Sequence, residues 1–259
     1  MNLRNSIAIV TGGASGLGEA TVRYFVGLGA RVAVLDLQEG QGAALADEFP
    51  GRVKYIRTDV CDEAQVQAAI DQTLETFGAV HVAVSCAGIV AGSKVVGKSN
   101  GVFGPHPLDL FSKVIQVNLI GTFNIMRLAA FAMQWNTPNE EGERGVIINT
   151  SSVAAFDGQI GQTAYAASKG AIASMTLPAA RDLASFGIRV MAIAPGIFET
   201  PMLAGLPEEV RESLGKQVPF PSRLGRPVEF ARLAASIVEN PMLNGEVIRL
   251  DGAIRMAPK

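Results

Sequence analysis

Ile7-Ala8-Ile9-Val10-Thr11-Gly12-Gly13-Ala14-Ser15-Gly16-Leu17-Gly18 is an apolar, β-branched run that passes directly into a glycine-rich turn, and a helical pattern continues through Glu19–Leu28. A strand feeding a helix through glycines is a geometry that suits anions. Glycine lets backbone approach a pyrophosphate closely, and the free N–H groups of the helix N-terminus favour negative charge. The spacing is Gly-x-x-x-Gly-x-Gly, which a chain with 28 glycines can also place in an ordinary tight turn, so context decides. A second strand-like run closes on Leu35-Asp36, about twenty residues on, where a carboxylate takes dinucleotide ribose hydroxyls. The same charge repels the 2′-phosphate of NADP, and Ala14, Ser15 and Leu37 supply no cation to offset it, so the expected cofactor is NAD. Asp36 also reads as a turn or capping residue.

Outward from this turn, Ile7–Val10, Arg31–Leu35, Val53–Arg57, Val80–Ser85, Val146–Asn149, Arg189–Ala194 and Glu246–Leu250 read as strands, separated by helical patterns. Strands this apolar are covered on both faces, and right-handed crossovers between them make an α/β, doubly wound parallel sheet of the Rossmann type. No repeat or linker divides the chain, so residues 1–259 are expected to form one domain. Asp59-Val60 and Cys86-Ala87-Gly88 end the third and fourth strands on the same edge as the glycine turn and are candidate neighbours of the adenosine. Asp59 also reads as a cap for a helix over Asp62–Thr76, and Cys86 as a small buried residue. Gly92–Pro107 reads as an inserted surface loop, and Ile197–Pro221 as a candidate lid.

The formal net charge is −2 and no basic run stands out, which leaves no electrostatic footprint for nucleic acid or an acidic membrane. Cys61 and Cys86 fit neither a disulfide framework nor a zinc site. The start of the chain carries no leader-like pattern and no apolar run is expected to span a membrane, so the expected location is cytoplasmic, or the mitochondrial matrix after import. His81 reads as a structural histidine and His106 as a solvated one, so no metal is expected. Lys94 and Lys98 in the insertion read as solvated, with the phosphates of a bulky substrate as the alternative.

Tyr165-Ala166-Ala167-Ser168-Lys169 puts a phenol and an ammonium on one helix face, one turn apart. Ser151-Ser152 follows a strand end on the cofactor edge, and Asn118 lies in the preceding helix. Moving a carbinol proton at neutral pH requires lowering the phenol from its usual value near 10, and shifting it by two to three units takes roughly 3–4 kcal/mol. A Lys ammonium and a positive nicotinamide both act in that direction.

Thr11–Gly18, Asp59, Ala87-Gly88, Asn118, Ser152, Tyr165-x-x-x-Lys169 and Pro195-Gly196 with Thr200 resemble the motifs of the short-chain dehydrogenase/reductase family over essentially the whole chain. The resemblance implies that Tyr165 is the general acid/base, that Ser152 holds the substrate oxygen, and that Lys169 binds the nicotinamide ribose. It further implies that Asn118 supports a relay water, and that Gly12, Ser15, Gly16, Leu17, Gly18, Asp36, Asp59, Val60, Cys86, Ala87, Gly88, Pro195, Gly196, Phe198 and Thr200 line the cofactor. Ser85-Cys86 departs from the family's Asn-Asn, which bears on local hydrogen bonding.

Arg144–Thr150, Val153–Gln162, Thr176–Asp182, Val218–Leu224 and Asn244–Met256 look like the type 2 3-hydroxyacyl-CoA dehydrogenases, a subgroup also called type 10 17β-hydroxysteroid dehydrogenases. That likeness implies a homotetramer oxidising 3-hydroxyacyl-CoA, with hydroxysteroids accepted by some members, and Gln162 as a substrate contact. Gln162 also reads as a polar helix-start residue. The rivals are a 3-oxoacyl-acyl-carrier-protein reductase, which Asp36 disfavours, and an NAD-binding scaffold subunit, which has no need of Ser152, Tyr165 and Lys169 together.

Overall fold

The computed structural model describes residues 1–99, 101–205 and 207–258; Asn100 of the insertion and Leu206 of the lid lie outside the described residues. β1 (Ile7–Thr11) leads into α1 (Gly16–Gly27), and β2 (Arg31–Asp36), α2 (Glu39–Glu48), β3 (Val53–Arg57) and α3 (Glu63–Phe77) continue the alternation to β4 (Val82–Ser85). A small hairpin, β5 (Val96–Ser99) and β6 (Val102–Pro105), precedes α4 (Leu108–Ile115), which runs through a wide π-type turn, Gln116–Gly121, into α5 (Thr122–Met133). β7 (Gly145–Thr150), α6 (Thr163–Leu183), β8 (Ile188–Pro195), α7 (Pro201–Ala204), α8 (Glu208–Lys216), α9 (Pro227–Glu239) and β9 (Val247–Leu250) complete the order.

Seven strands form one sheet in the order β3-β2-β1-β4-β7-β8-β9, and every pairing in it is parallel. Alternate side chains along each strand enter two cores. Ala8 and Val10 face Val22 and Phe25 of α1 and Phe230 and Ala234 of α9, whereas Ile7 and Ile9 face Val66 and Ile70 of α3 and Ile125 of α5. This is the doubly wound sheet expected from the seven apolar runs, with the fourth strand opening at Val82 rather than Val80. At the edge where β8 begins, the buried Arg189 guanidinium binds Glu143 Oε1 at 2.7 Å and donates to the carbonyls of Ile237, Val238 and Leu243.

Two expectations change. The insertion is not a plain loop: β5 and β6 pair antiparallel, with Gly101 at φ 83° near the turn. Its Gly, Ser and Lys content hid two short strands built on Val96, Val102 and Phe103. Second, Leu108–Met133 is continuous through the π-type turn, and by length and composition it is apolar enough to cross a membrane, although 50% of its most apolar window is buried inside the fold. Its inner face packs on α3, β4 and β7. The candidate lid, Ile197–Pro221, carries the helices α7 and α8, with Pro201 Cδ 3.4 Å from where a Cβ on Gly16 would stand.

Candidate active site

The chain reverses its direction across the sheet between β1 and β4, which opens a crevice at the strand C-termini. Gly12, at φ 61°, lies so close to β4 that a Cβ would stand 2.8 Å from Ala87 N, and a Cβ on Gly18 would stand 2.1 Å from Gly12 O. These contacts require glycine and bring the turn flush with Cys86-Ala87-Gly88. Ser15 stands at the N-cap of α1, yet its hydroxyl makes no capping bond, so the first-turn amides of Gly16, Leu17 and Gly18 have no side-chain acceptor there. Glycines and uncapped amides fit a diphosphate. Asp36 is buried at the end of β2 and accepts from Ala14 N and Gln38 N, both at 3.0 Å, one on each carboxylate oxygen. Each oxygen keeps a lone pair for a ribose hydroxyl.

Asp59 accepts from Cys61 N at 2.9 Å, and the cap of α3 is Asp62, which accepts from Gln65 N, so the capping reading of Asp59 fails. Val60 is buried and its carbonyl accepts from Asn124 Nδ2 at 3.1 Å. Ala87 N donates to Thr11 Oγ1 at 3.2 Å and Cys86 Sγ receives the Thr150 hydroxyl at 3.7 Å, while burial pushes the Cys86 thiol up to about 11. Ser85 Oγ and Asn149 Oδ1, register partners on β4 and β7, are buried without a hydrogen-bond partner among the described residues. Pro195 ends β8, Gly196 N donates to Leu250 O at 2.9 Å, and Thr200 stands at the N-cap of α7. Phe198 is a core residue whose ring packs on Gly225, where a Cβ would come within 2.8 Å. Its side chain is therefore committed to packing.

The reactive groups converge beside this edge. Ser152 caps the short helical turn Val153–Ala155 by accepting from Ala154 N, and its hydroxyl stands near enough to the Tyr165 phenol to favour its ionised form. Lys169, four residues along α6, lies with Nζ 5.8 Å from the centre of the Tyr165 ring and donates to Thr150 O at 2.7 Å. Burial disfavours charge on both. It holds the Lys169 ammonium down to about 8 and raises the Tyr165 phenol, with only the Ser152 hydroxyl opposing the rise. The lowering expected from Lys169 and a nicotinamide together concerns the cofactor-bound site, and within the chain alone burial outweighs the Ser152 contribution.

Asn118 sits in the π-type turn, fully buried, and its amide is spent on other bonds. Nδ2 donates to Ile89 O at 2.9 Å and to Ser168 Oγ at 3.1 Å, and Oδ1 accepts from Ile89 N at 2.8 Å. It ties the strand end after Gly88 to α6. Gln162 Oε1 accepts from Gln159 N at 3.0 Å, which makes it a tie across its own loop at the start of α6. His81 Nδ1 accepts from Ile7 N at 3.1 Å, a structural bond. His106 is not the solvated residue expected: Nδ1 shares a hydrogen with Ser93 O at 3.0 Å and the ring stands edge-on to Phe111. Among the described residues no His, Cys, Asp or Glu cluster has metal-ligand geometry. The Thr150 carbonyl, acceptor for Lys169, was missed by sequence reasoning because a backbone acceptor leaves no residue signature.

A profile of the short chain dehydrogenase family matches residues 6–211. The chain belongs to that family. It is 54% identical over 258 residues to the 3-hydroxyacyl-CoA dehydrogenase type-2 of Rattus norvegicus, spanning 99% of this chain and 98% of the rat protein. It is likewise 54% identical to the Homo sapiens protein of the same name, over 99% of this chain and 98% of the relative. The crystal structure of 3-hydroxyacyl-CoA dehydrogenase type-2 from Mycobacterium avium superposes with a TM-score of 0.93 at 44% identity, covering 98% of each chain. As a member of this dehydrogenase family, the chain is an oxidoreductase.

A buried ammonium kept for chemistry carries a stability cost. Lys169 ionises near 8 in the fold against 10.5 when unfolded, so the charged form is disfavoured by about 3 kcal/mol. Below pH 8 both states carry the proton and the cost is present in full. Between the two values the unfolded chain binds the extra proton, so stability rises with pH and the cost fades. Lys169→Met should therefore stabilise the ligand-free protein by about 1–3 kcal/mol at pH 7 while abolishing turnover, with the gap closing toward pH 10. Equal urea midpoints for the two proteins at pH 7 would contradict this.

Proposed function

We propose that this chain is an NAD-dependent 3-hydroxyacyl-CoA dehydrogenase, interconverting 3-hydroxyacyl- and 3-oxoacyl-CoA. The observation that carries the reading is the Ser152–Tyr165–Lys169 group beside a glycine turn that fits a diphosphate, with a groove of about 640 Å³ nearby. The groove runs between the β5–β6 hairpin and the loop ahead of α6, and Lys94, Lys98, Phe103 and Ile160 line it. Two exposed ammonium groups beside an apolar wall suit a long thioester arm ending in phosphates, and the names of the relatives agree with that chemistry.

When bound, NAD would supply the hydride acceptor and a positive charge. Gly12, Gly16, Gly18 and the α1 amides would hold its diphosphate, and Asp36 would take the adenosine ribose hydroxyls. Ser152 Oγ and Tyr165 Oη together hold the C3 oxygen of the substrate. Tyr165 accepts the hydroxyl proton as the C3–H bond breaks, and in the reverse direction returns it to the new alkoxide. Lys169 contributes through its charge, still largely protonated at neutral pH, and through a remaining donor for the nicotinamide ribose. Its Nζ stands 3.7 Å from the position that a Cβ on Gly88 would fill, so the bare glycine leaves that donor room.

Asp36 sets the cofactor. Wild type should bind NAD far more tightly than NADP in calorimetric titrations, and Asp36→Ala should weaken NAD by about ten- to a hundredfold while narrowing the preference. Equal wild-type affinities for the two cofactors would overturn the assignment.

Acetoacetyl-CoA should oxidise NADH rapidly, and Tyr165→Phe should lower kcat by about a thousandfold with NAD affinity unchanged. Reversing the charge of Lys94 and Lys98 together should raise KM for the CoA thioester. The reading fails if no thioester is turned over while a steroid or sugar alcohol is.

Ile120, Phe123, Phe131 and Trp135 are exposed along α5 and its flanks, and Leu177 is exposed on α6. Their spacing puts the first four on one helix face, an apolar stripe suited to burial between copies of the chain. The proposed assembly is a homotetramer, and a monomer mass by light scattering at micromolar concentration would exclude it.

A further inference from the structure

The connection Val153–Gln162 follows Ser152 and ends three residues before Tyr165, so it joins two reactive groups, and its Ile160 and Gly161 line the groove described above. What holds the outer side of that wall lies almost a hundred residues away. Arg249 on β9 reaches Asp157 Oδ2 at 2.5 Å, Asp251 Oδ2 at 2.8 Å and the carbonyl of Ile254 at 3.0 Å, with its guanidinium 5.4 Å above the Phe156 ring. The pair is mostly buried, and the Arg249 hydrogen bond holds the Asp157 carboxyl below its usual value, helped by the Met256 amide. The segment that Arg249 fixes then continues the contact. Gln159 Nε2 donates to Ala257 O and Ile160 N donates to Pro258 O, both at 3.0 Å. On the opposite side Ser93 N donates to Gly161 O at 2.9 Å, joining the same loop to the base of the hairpin.

We propose that Arg249, Asp157 and the segment Ile254–Pro258 form a specificity clamp: a strap that fixes the width of the groove between the Val153–Gln162 wall and the β5–β6 hairpin. Arg249 and Asp157 are positioning residues, remote from the reacting atoms. The inference deepens the proposed function, since the ligand whose fit depends on the strap is the acyl-pantetheine arm of a thioester. Three bonds meet on that loop from the strap, and Ile160, held by one of them, lines the groove. A wall released at these points moves away from the arm, while Ser152 stays capped on Ala154 N and Tyr165 stays on α6. Binding of the long substrate is therefore weakened more than the chemical step. Asp251 connects the strap to the cofactor side, because a Cβ on Gly196 would stand only 2.9 Å from Asp251 Cβ. Asp157 has no such contact and is the cleaner place to cut.

The test compares wild type, Asp157→Ala and Asp157→Asn with NADH and two ketone substrates: acetoacetyl-CoA, and acetoacetate carried on N-acetylcysteamine, which keeps the thioester and drops most of the arm. Asp157→Ala should raise KM for acetoacetyl-CoA by about tenfold with kcat within about twofold, and raise it far less for the short thioester. Asp157→Asn, which keeps a hydrogen bond to Arg249, should fall between. NADH affinity should not change. Hydrogen exchange should show the Ile160 amide losing protection in Asp157→Ala, while amides of α6 beyond Lys169 keep theirs. Equal KM changes for both thioesters, a fall in kcat and NADH affinity together, or an Ile160 amide as protected as in wild type would each overturn the clamp. Should wild type turn over neither thioester, the substrate reading is at fault, and the exchange result alone decides whether the strap holds the wall.

Discussion

β1 pairs in parallel with β2 on one side and with β4 on the other, and the site depends on that double pairing. Parallel strands bring all their C-terminal ends to one edge, and the change of direction after β3 leaves a crevice between two crossovers at that edge. Thr11, Asp36, Ser85 and Thr150 reach it as the last residues of four different strands. Close packing at the strand ends then adds a sharper requirement. Gly12 lies against the backbone of Cys86 and Ala87, and Gly18 against that of Gly12, where no side chain fits, so the glycine turn and the end of β4 form a single surface.

Burial dominates the electrostatics beside that edge. Tyr165 and Lys169 share one face of α6, and water exclusion raises the phenol and depresses the ammonium, each toward its neutral form. Neither trend favours a phenolate. Under the function proposed above, a cation bound beside this pair would oppose the effect of burial on the phenol. Asn118 acts mechanically, since its amide binds the strand end at Ile89 to Ser168 on α6 and so keeps the two halves of the site in register. The π-type turn that carries it lies within the apolar helical stretch Leu108–Met133.

Around this rigid edge the outer parts are held by polar ties rather than by a core. The hairpin is joined at Ser93 to Gly161 and His106, and the loop ahead of α6 is joined to the last residues through Gln159 and Ile160. Exposed Val96, Val102 and Phe103 on the hairpin bury little surface against the rest. Elements with few apolar contacts depend on such ties for their position, since little buried surface holds them otherwise.

Local spacing made the architecture legible and placed several residues of the candidate site: seven β-branched runs between helical patterns, a glycine turn after the first, Asp36 at the end of the second, and Tyr165 and Lys169 four apart on a helix. Each is a short-range pattern, because a strand's burial, a turn's dihedral angles and a helix face are set by residues a few positions apart. Tertiary structure decided the rest. The insertion became a hairpin, Phe198 entered the core, Asn118 became a tie and Gln162 a loop clasp, and the Thr150 carbonyl took the Lys169 ammonium. Arg249 met Asp157 across 92 positions of chain. Pairings of that range depend on how the crossovers return to the sheet, and the sign of the Tyr165 shift depends on how much water the assembled crevice excludes. Neither quantity exists until the chain has closed on itself.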